Sequence, residues 1–148
     1  MEHFYTLQGE GFHQGKAAYF IRLAGCDVGC VWCDVKESWD LSKHPLHTIK
    51  ELVDFVRQTP ARIVVITGGE PLILREILPI LKHALALRPA LVLTNGMAPF
   101  IRKAHLLAQL RATPHALRLR VSIDWPDEAR HDAGRGPKSF RKAMEGLR

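Results

Sequence analysis

The chain has 148 residues, 47% of them hydrophobic and 24% charged, the balance of a soluble globular domain long enough to bury a core. No run approaches the roughly 20 apolar residues of a membrane span. The opening Met1-Glu2-His3-Phe4 also lacks the basic region and apolar stretch of a secretory signal, so a cytoplasmic protein folded as one domain over residues 1–148 is expected. Net charge is +6 but uneven: residues 1–74 carry 7 Lys/Arg against 9 Asp/Glu, and residues 75–148 carry 14 against 6. A basic half can bind nucleic acid. Here the cations are spread over expected helices without interleaved aromatics, which reads as solvated helix faces and argues against nucleic acid.

In chain order, Gln8-Gly9-Glu10-Gly11 taken alone reads as a hairpin turn with Gln8 and Glu10 solvated. Ala18–Leu23 is a short apolar strand, and it runs directly into Cys26, Cys30 and Cys33, the only cysteines of the chain. Thr48 to Arg57 reads as a helix: Thr48 caps it, Glu51 completes a capping box, and Ile49, Leu52, Val53 and Val56 share one face. Arg62–Thr67 is a near-continuous apolar run, as expected of a strand buried on both sides, and Gly68-Gly69 ends it. Ile73–Leu87 is periodic at helical spacing. Ala90–Leu93 is a second buried strand, closed by Thr94-Asn95-Gly96. Pro99–Leu110 reads as a helix, Leu117–Ile123 as a strand and Pro137–Leu147 as a final helix, with His131 on an exposed loop.

This alternation implies right-handed βαβ units and a parallel sheet, whose chemistry gathers at the carboxyl ends of the strands. The cysteines, Gly68-Gly69-Glu70-Pro71, Thr94-Asn95-Gly96 and Ser122–Asp124 each follow a strand, so four separate segments converge on one end of the sheet.

The C-x3-C-x2-C run supplies three thiolates around one centre and leaves a fourth position open. A [4Fe–4S] cluster with one free iron fits that donor set. Zinc with three ligands and a water is the rival, and an odd, tightly clustered cysteine count argues against a disulfide framework.

With Trp32 before the last cysteine and Gly68-Gly69-Glu70-Pro71 downstream, the chain resembles the radical S-adenosylmethionine (SAM) superfamily. The resemblance implies an α/β fold, a partial (β/α) barrel of usually six units. It also implies a [4Fe–4S] cluster on Cys26, Cys30 and Cys33, and SAM bound at the free iron. Gly68, Gly69, Glu70, Trp32, Asn95, Ser122 and Asp124 fall where SAM is held; strand-end Asn, Ser and Asp also serve as helix caps. A full eightfold barrel takes about 250 residues, and this chain supplies about four core strands, so a compact variant, a truncated product or a fragment is expected. A truncated sheet would expose an edge that invites a homodimer.

Phe4-Tyr5-Thr6-Leu7-Gln8-Gly9-Glu10-Gly11, Phe20-Ile21-Arg22-Leu23-Ala24-Gly25-Cys26 and Trp32-Cys33-Asp34 together resemble 7-carboxy-7-deazaguanine synthase. That resemblance implies a lyase acting on 6-carboxy-5,6,7,8-tetrahydropterin in 7-deazapurine (queuosine) biosynthesis, with an external reductant such as flavodoxin. Gln8, Gly9, Glu10, Gly11 and Arg22 would then bind the pterin, Arg22 forking onto its carboxylate. Many members have Thr after the Cys-Asp pair as a Mg2+ ligand; here Val35 offers no oxygen. Ser122-Ile123-Asp124-Trp125-Pro126-Asp127, His131-Asp132 and Arg135-Gly136 resemble another branch of the superfamily, which includes enzymes modifying peptides or cofactor precursors. An inactive Fe–S or zinc module is the reading without catalysis.

Overall fold

A computed structural model describes residues 2–148, and Met1 lies outside it. Five strands form one sheet in the order β1-β2-β3-β4-β5: Glu2–Leu7, Ala17–Leu23, Ile63–Gly68, Ala90–Thr94 and Leu117–Val121. The last four run parallel, as the strand–helix alternation requires. β1 departs from the expected all-parallel sheet. It joins β2 through a short connection and therefore pairs antiparallel, Glu2 opposite Arg22 and Leu7 opposite Ala17.

Helices α1 (Ile49–Arg57), α2 (Ile77–Leu87) and α3 (Ala98–Gln109) connect the parallel strands and cover one face of the sheet. Strand residues alternate between faces. Tyr19, Ile21, Val64, Ile66, Ala90 and Val92 pack against Val56, Leu81, Leu85, Phe100 and Leu107 of the helices. The α1 capping box forms as the sequence indicates: Glu51 N–H donates to Thr48 Oγ1 at 3.2 Å, and Thr48 N–H donates to the Glu51 carboxylate at 2.7 Å. The expected helix from Ile73 is shorter, because Pro71–Ile73 forms a separate 3₁₀ turn before α2 begins.

The opposite parity of residues, Ala18, Phe20, Ile63, Val65, Leu91 and Leu93, forms a smaller apolar cluster on the other face. Arg22, Thr67, Arg118 and Arg120 share that parity. After β5 two short helices follow, α4 (Glu128–Arg135) and α5 (Ser139–Gly146). The strand expected to reach Ile123 stops at Val121, and α4 replaces the expected loop. His131 is consequently not an exposed loop residue: it is 1% exposed on α4, its ring edge-on to Phe140, and its Nδ1 accepts from Asp124 N–H at 3.3 Å. Among the described residues, no helix is long and apolar enough to cross a membrane.

Candidate active site

The β2 chain crosses the sheet top and enters the cysteine loop beside the turn that follows β3. Gly68 has φ +113°, and a Cβ there would stand 2.2 Å from the Leu23 carbonyl oxygen; one on Gly69 would stand 2.2 Å from the Gly25 carbonyl oxygen. Only glycine permits this approach. Gly69 N–H donates to Leu23 O and Glu70 N–H to Gly25 O, each at 2.9 Å, so the two motifs are laced together by backbone bonds.

Cys26, Cys30 and Cys33 are free and half-buried. They line a cavity of about 210 Å³ together with Trp32, Gly68, Gly69, Glu70, Asn95 and Ser122. Nine of the residues singled out by the sequence therefore meet at the carboxyl ends of the parallel strands. Burial pushes the Cys26 and Cys30 thiols above their ordinary values; at Cys30 the Arg135 guanidinium works against that rise. Among the described residues, no three His, Cys, Asp or Glu side chains converge on a point that would hold a single metal ion. A cubane cluster makes a different demand, since each of its cysteine thiolates binds a different iron, and three thiols spread around one cavity suit it.

Glu70 is 2% exposed. Its carboxylate accepts from Leu72 N–H at 3.0 Å, Thr94 Oγ1–H at 2.9 Å and Asn95 N–H at 2.7 Å, tying the end of β3 to the end of β4. Burial raises its pKa above the ordinary value, against the pull of those three bonds. Asn95 itself caps the turn into α3, its Oδ1 accepting from Met97 N–H at 2.9 Å. Trp32 is half exposed, its ring edge against α4, where a Cβ on Gly134 would stand 1.2 Å from Cζ3. Val31 N–H donates to Gly134 O at 3.0 Å, which fastens α4 to the cysteine loop.

Asp124 reaches the cavity through Arg135. The carboxylate takes Arg135 Nε–H and, at 2.9 Å, Nη2–H, and the pair is mostly buried. This ion pair holds the Asp124 carboxyl below its ordinary range. Arg135 is a wall residue that the sequence places in a motif but not among the site residues. Its signal was the Arg135-Gly136 pair, whose place beside the cysteines depends on the whole fold.

The N-terminal candidates do not enter this cavity. Glu10 and Gly11 line a separate hollow of about 380 Å³ against Arg118 and Arg120, on the same sheet face, and Glu10 pairs with Arg120. Gln8 is 4% exposed rather than solvated, with its backbone closing the hairpin to Gly15 and Lys16. Gly9 has open space around it, while Gly11 adopts φ +70°. Arg22 donates to Glu2 at 2.7 Å and lies over the Phe4 ring. Phe12 carries the Arg118 guanidinium at 3.5 Å, and burial lowers the pKa of the neighbouring His13. Two further hollows lie against α3 and β5 and beside residues 41–49, away from the cysteines.

Residues 20–148 match the family model described as the Radical SAM superfamily. Among curated proteins, the chain is 58% identical over 72 residues to the 7-carboxy-7-deazaguanine synthase of Flavobacterium psychrophilum, covering 49% of this chain and 34% of that protein. It is 55% identical over 75 residues to the enzyme of the same name from Prochlorococcus marinus, covering 49% and 33%. The chain thus spans about a third of the length of these relatives. The crystal structure of QueE from Escherichia coli aligns with a TM-score of 0.53 at 24% identity, over 97% of this chain and 86% of that one, a likeness of fold. The sheet with its helices on one face is accordingly a partial barrel of this type.

Proposed function

The chain belongs to the radical SAM superfamily, and from that premise we propose that it is a radical SAM carbon–nitrogen lyase, converting 6-carboxy-5,6,7,8-tetrahydropterin to 7-carboxy-7-deazaguanine in 7-deazapurine (queuosine) biosynthesis. The observation that carries the reading is the meeting of Cys26, Cys30 and Cys33 with Gly68, Gly69, Glu70, Asn95 and Ser122 in one cavity. The names of the relatives supply the substrate class.

The family uses a [4Fe–4S] cluster and SAM, and the donor set fits: three free thiols on one loop would hold the cluster, leaving an iron for SAM. When bound and reduced, that pair supplies a 5′-deoxyadenosyl radical for hydrogen abstraction. The chain's own part is to bind, orient and exclude water. Gly68 and Gly69 bring backbone within reach of SAM. Glu70, Asn95 and Ser122 form the polar wall for SAM, Asp124 takes part from behind Arg135, and Trp32 gives a ring face for the adenine. Gln8, Gly9, Glu10, Gly11 and Arg22 take the pterin. For that role Arg22 exchanges Glu2 for the substrate carboxylate, an exchange eased by the pair's exposure. A hard cation such as Mg2+ would draw on Asp34, substrate oxygens and water, since Val35 has none to give.

A one-electron donor such as flavodoxin, a cytoplasmic location, a single-domain organisation and a homodimer complete the proposal; nucleic acid has no role in it. The second reading, a peptide or cofactor precursor as substrate, rests on the Ser122–Arg135 region. In this fold Arg135 lines the cysteine cavity, Asp124 holds its guanidinium and Gly134 bonds to the cysteine loop, a service any substrate of the superfamily would need.

Anaerobic reconstitution followed by iron and sulfide analysis tests the cluster. About four irons and equal sulfide per chain, lost in Cys30→Ala, are expected; stoichiometric zinc without sulfide would contradict it.

A further inference from the structure

We propose that Arg135 is a positioning residue for the electronics of the site, its guanidinium raising the reduction potential of a cluster held by Cys26, Cys30 and Cys33. The proposal rests on the cluster reading above and adds a role for a side chain that neither the cysteine motif nor the Gly68–Pro71 turn contains.

Arg135 closes α4 and lines the cysteine cavity, with its side chain 13% exposed. Its place is fixed by its neighbours. A Cβ on Gly134 would run into the Trp32 ring, and the Gly134 carbonyl takes Val31 N–H at 3.0 Å, one residue after Cys30. The end of α4 therefore cannot slide without unseating the cysteine loop. Asp124 occupies Nε and Nη2 of the guanidinium, leaving Nη1 with no recorded hydrogen bond among the described residues.

Pairing with Asp124 does not cancel the charge at the cavity. The two members are not equivalent toward the thiols: Arg135 lines the cysteine cavity and Asp124 stands behind it, so the pair presents its positive end to the cysteines. Adding an electron to a cluster adds a negative charge. A fixed cation in a cavity of low dielectric favours the reduced form and raises the potential. The competing explanation is mechanical, with the ion pair serving only to pin α4 to the chain after β5.

Potentiometric titration of the anaerobically reconstituted protein without SAM, using dithionite and mediator dyes and following the reduced cluster by electron paramagnetic resonance, separates the two. Arg135→Gln should shift the midpoint to lower potential, and Arg135→Lys, which keeps the charge and loses the fork, should stay near wild type. Asp124→Asn, which removes the opposing charge, should shift it upward. It serves as the independent arm if Arg135→Gln takes up cluster poorly. A loaded wild type whose midpoint matches that of loaded Arg135→Gln, or an Asp124→Asn midpoint that does not rise, overturns this inference alone. A wild type that takes up no iron and sulfide overturns the cluster reading and this inference with it.

Discussion

Two demands meet at Glu70. Among the described residues its carboxylate is the only acceptor for the Leu72 and Asn95 amides, and it stands in the wall where SAM is proposed to bind. Replacing it by alanine strands two buried N–H groups and the Thr94 hydroxyl, a loss on the order of 3 kcal/mol. Urea denaturation of Glu70→Ala should show that loss before any ligand is added. The carboxyl also titrates. Its folded pKa is raised by burial, so the proton-linked stability it brings is present below the ordinary value of 4.5 and is lost as pH rises through the raised folded value. Glu70→Gln cannot ionise. The stability of wild type relative to Glu70→Gln should therefore decline across that interval and level off above it. A difference that is flat with pH would mean that the carboxyl is not desolvated.

Elements differ in how openly the sequence declares them. Helix α1 was legible because its apolar spacing and its Thr48–Glu51 box are local. Thr48→Ala should cost about 1 kcal/mol, read as a shift in the thermal midpoint. β1 was not read as a strand: it lies at the sheet edge, exposed or half-exposed throughout, so its residues carry no burial pattern. Helix α4 was missed for a related reason. Its sequence EARHDAGR is polar, and it is held by the Asp127 cap and by docking on the cysteine loop. The cysteines and Gly68–Glu70 were visible as motifs because their spacing along the chain is their chemistry. Arg135 belongs to the Arg135-Gly136 motif, but its role at the site was not legible, because its nearness to Cys30 exists only once α4 has docked. That docking depends on Gly134. Gly134→Ala puts a methyl into the Trp32 ring, and relief requires Trp32 or α4 to move; overpacking of this kind costs about 1–3 kcal/mol. The variant should show altered Trp fluorescence and poorer cluster uptake, while Gly9→Ala, with open space around it, should show neither.

At the scale of the molecule, one sheet arranges everything described. Helices cover one face, the cysteine cavity crowns the parallel strands, and the hollow holding Glu10, Arg118 and Arg120 lies on the other face. β5 borders only β4, so its outer edge carries backbone groups with no strand partner in the sheet. The proposed lyase activity asks this arrangement to act on a carboxypterin with about a third of the length of its curated relatives. The most direct measurement is product analysis of the anaerobically reconstituted chain supplied with SAM, a one-electron reductant and 6-carboxy-5,6,7,8-tetrahydropterin. 7-Carboxy-7-deazaguanine is expected, formed only when both SAM and the pterin are present and lost in Cys30→Ala. A cluster-loaded protein that cleaves SAM yet leaves the carboxypterin unchanged would contradict it.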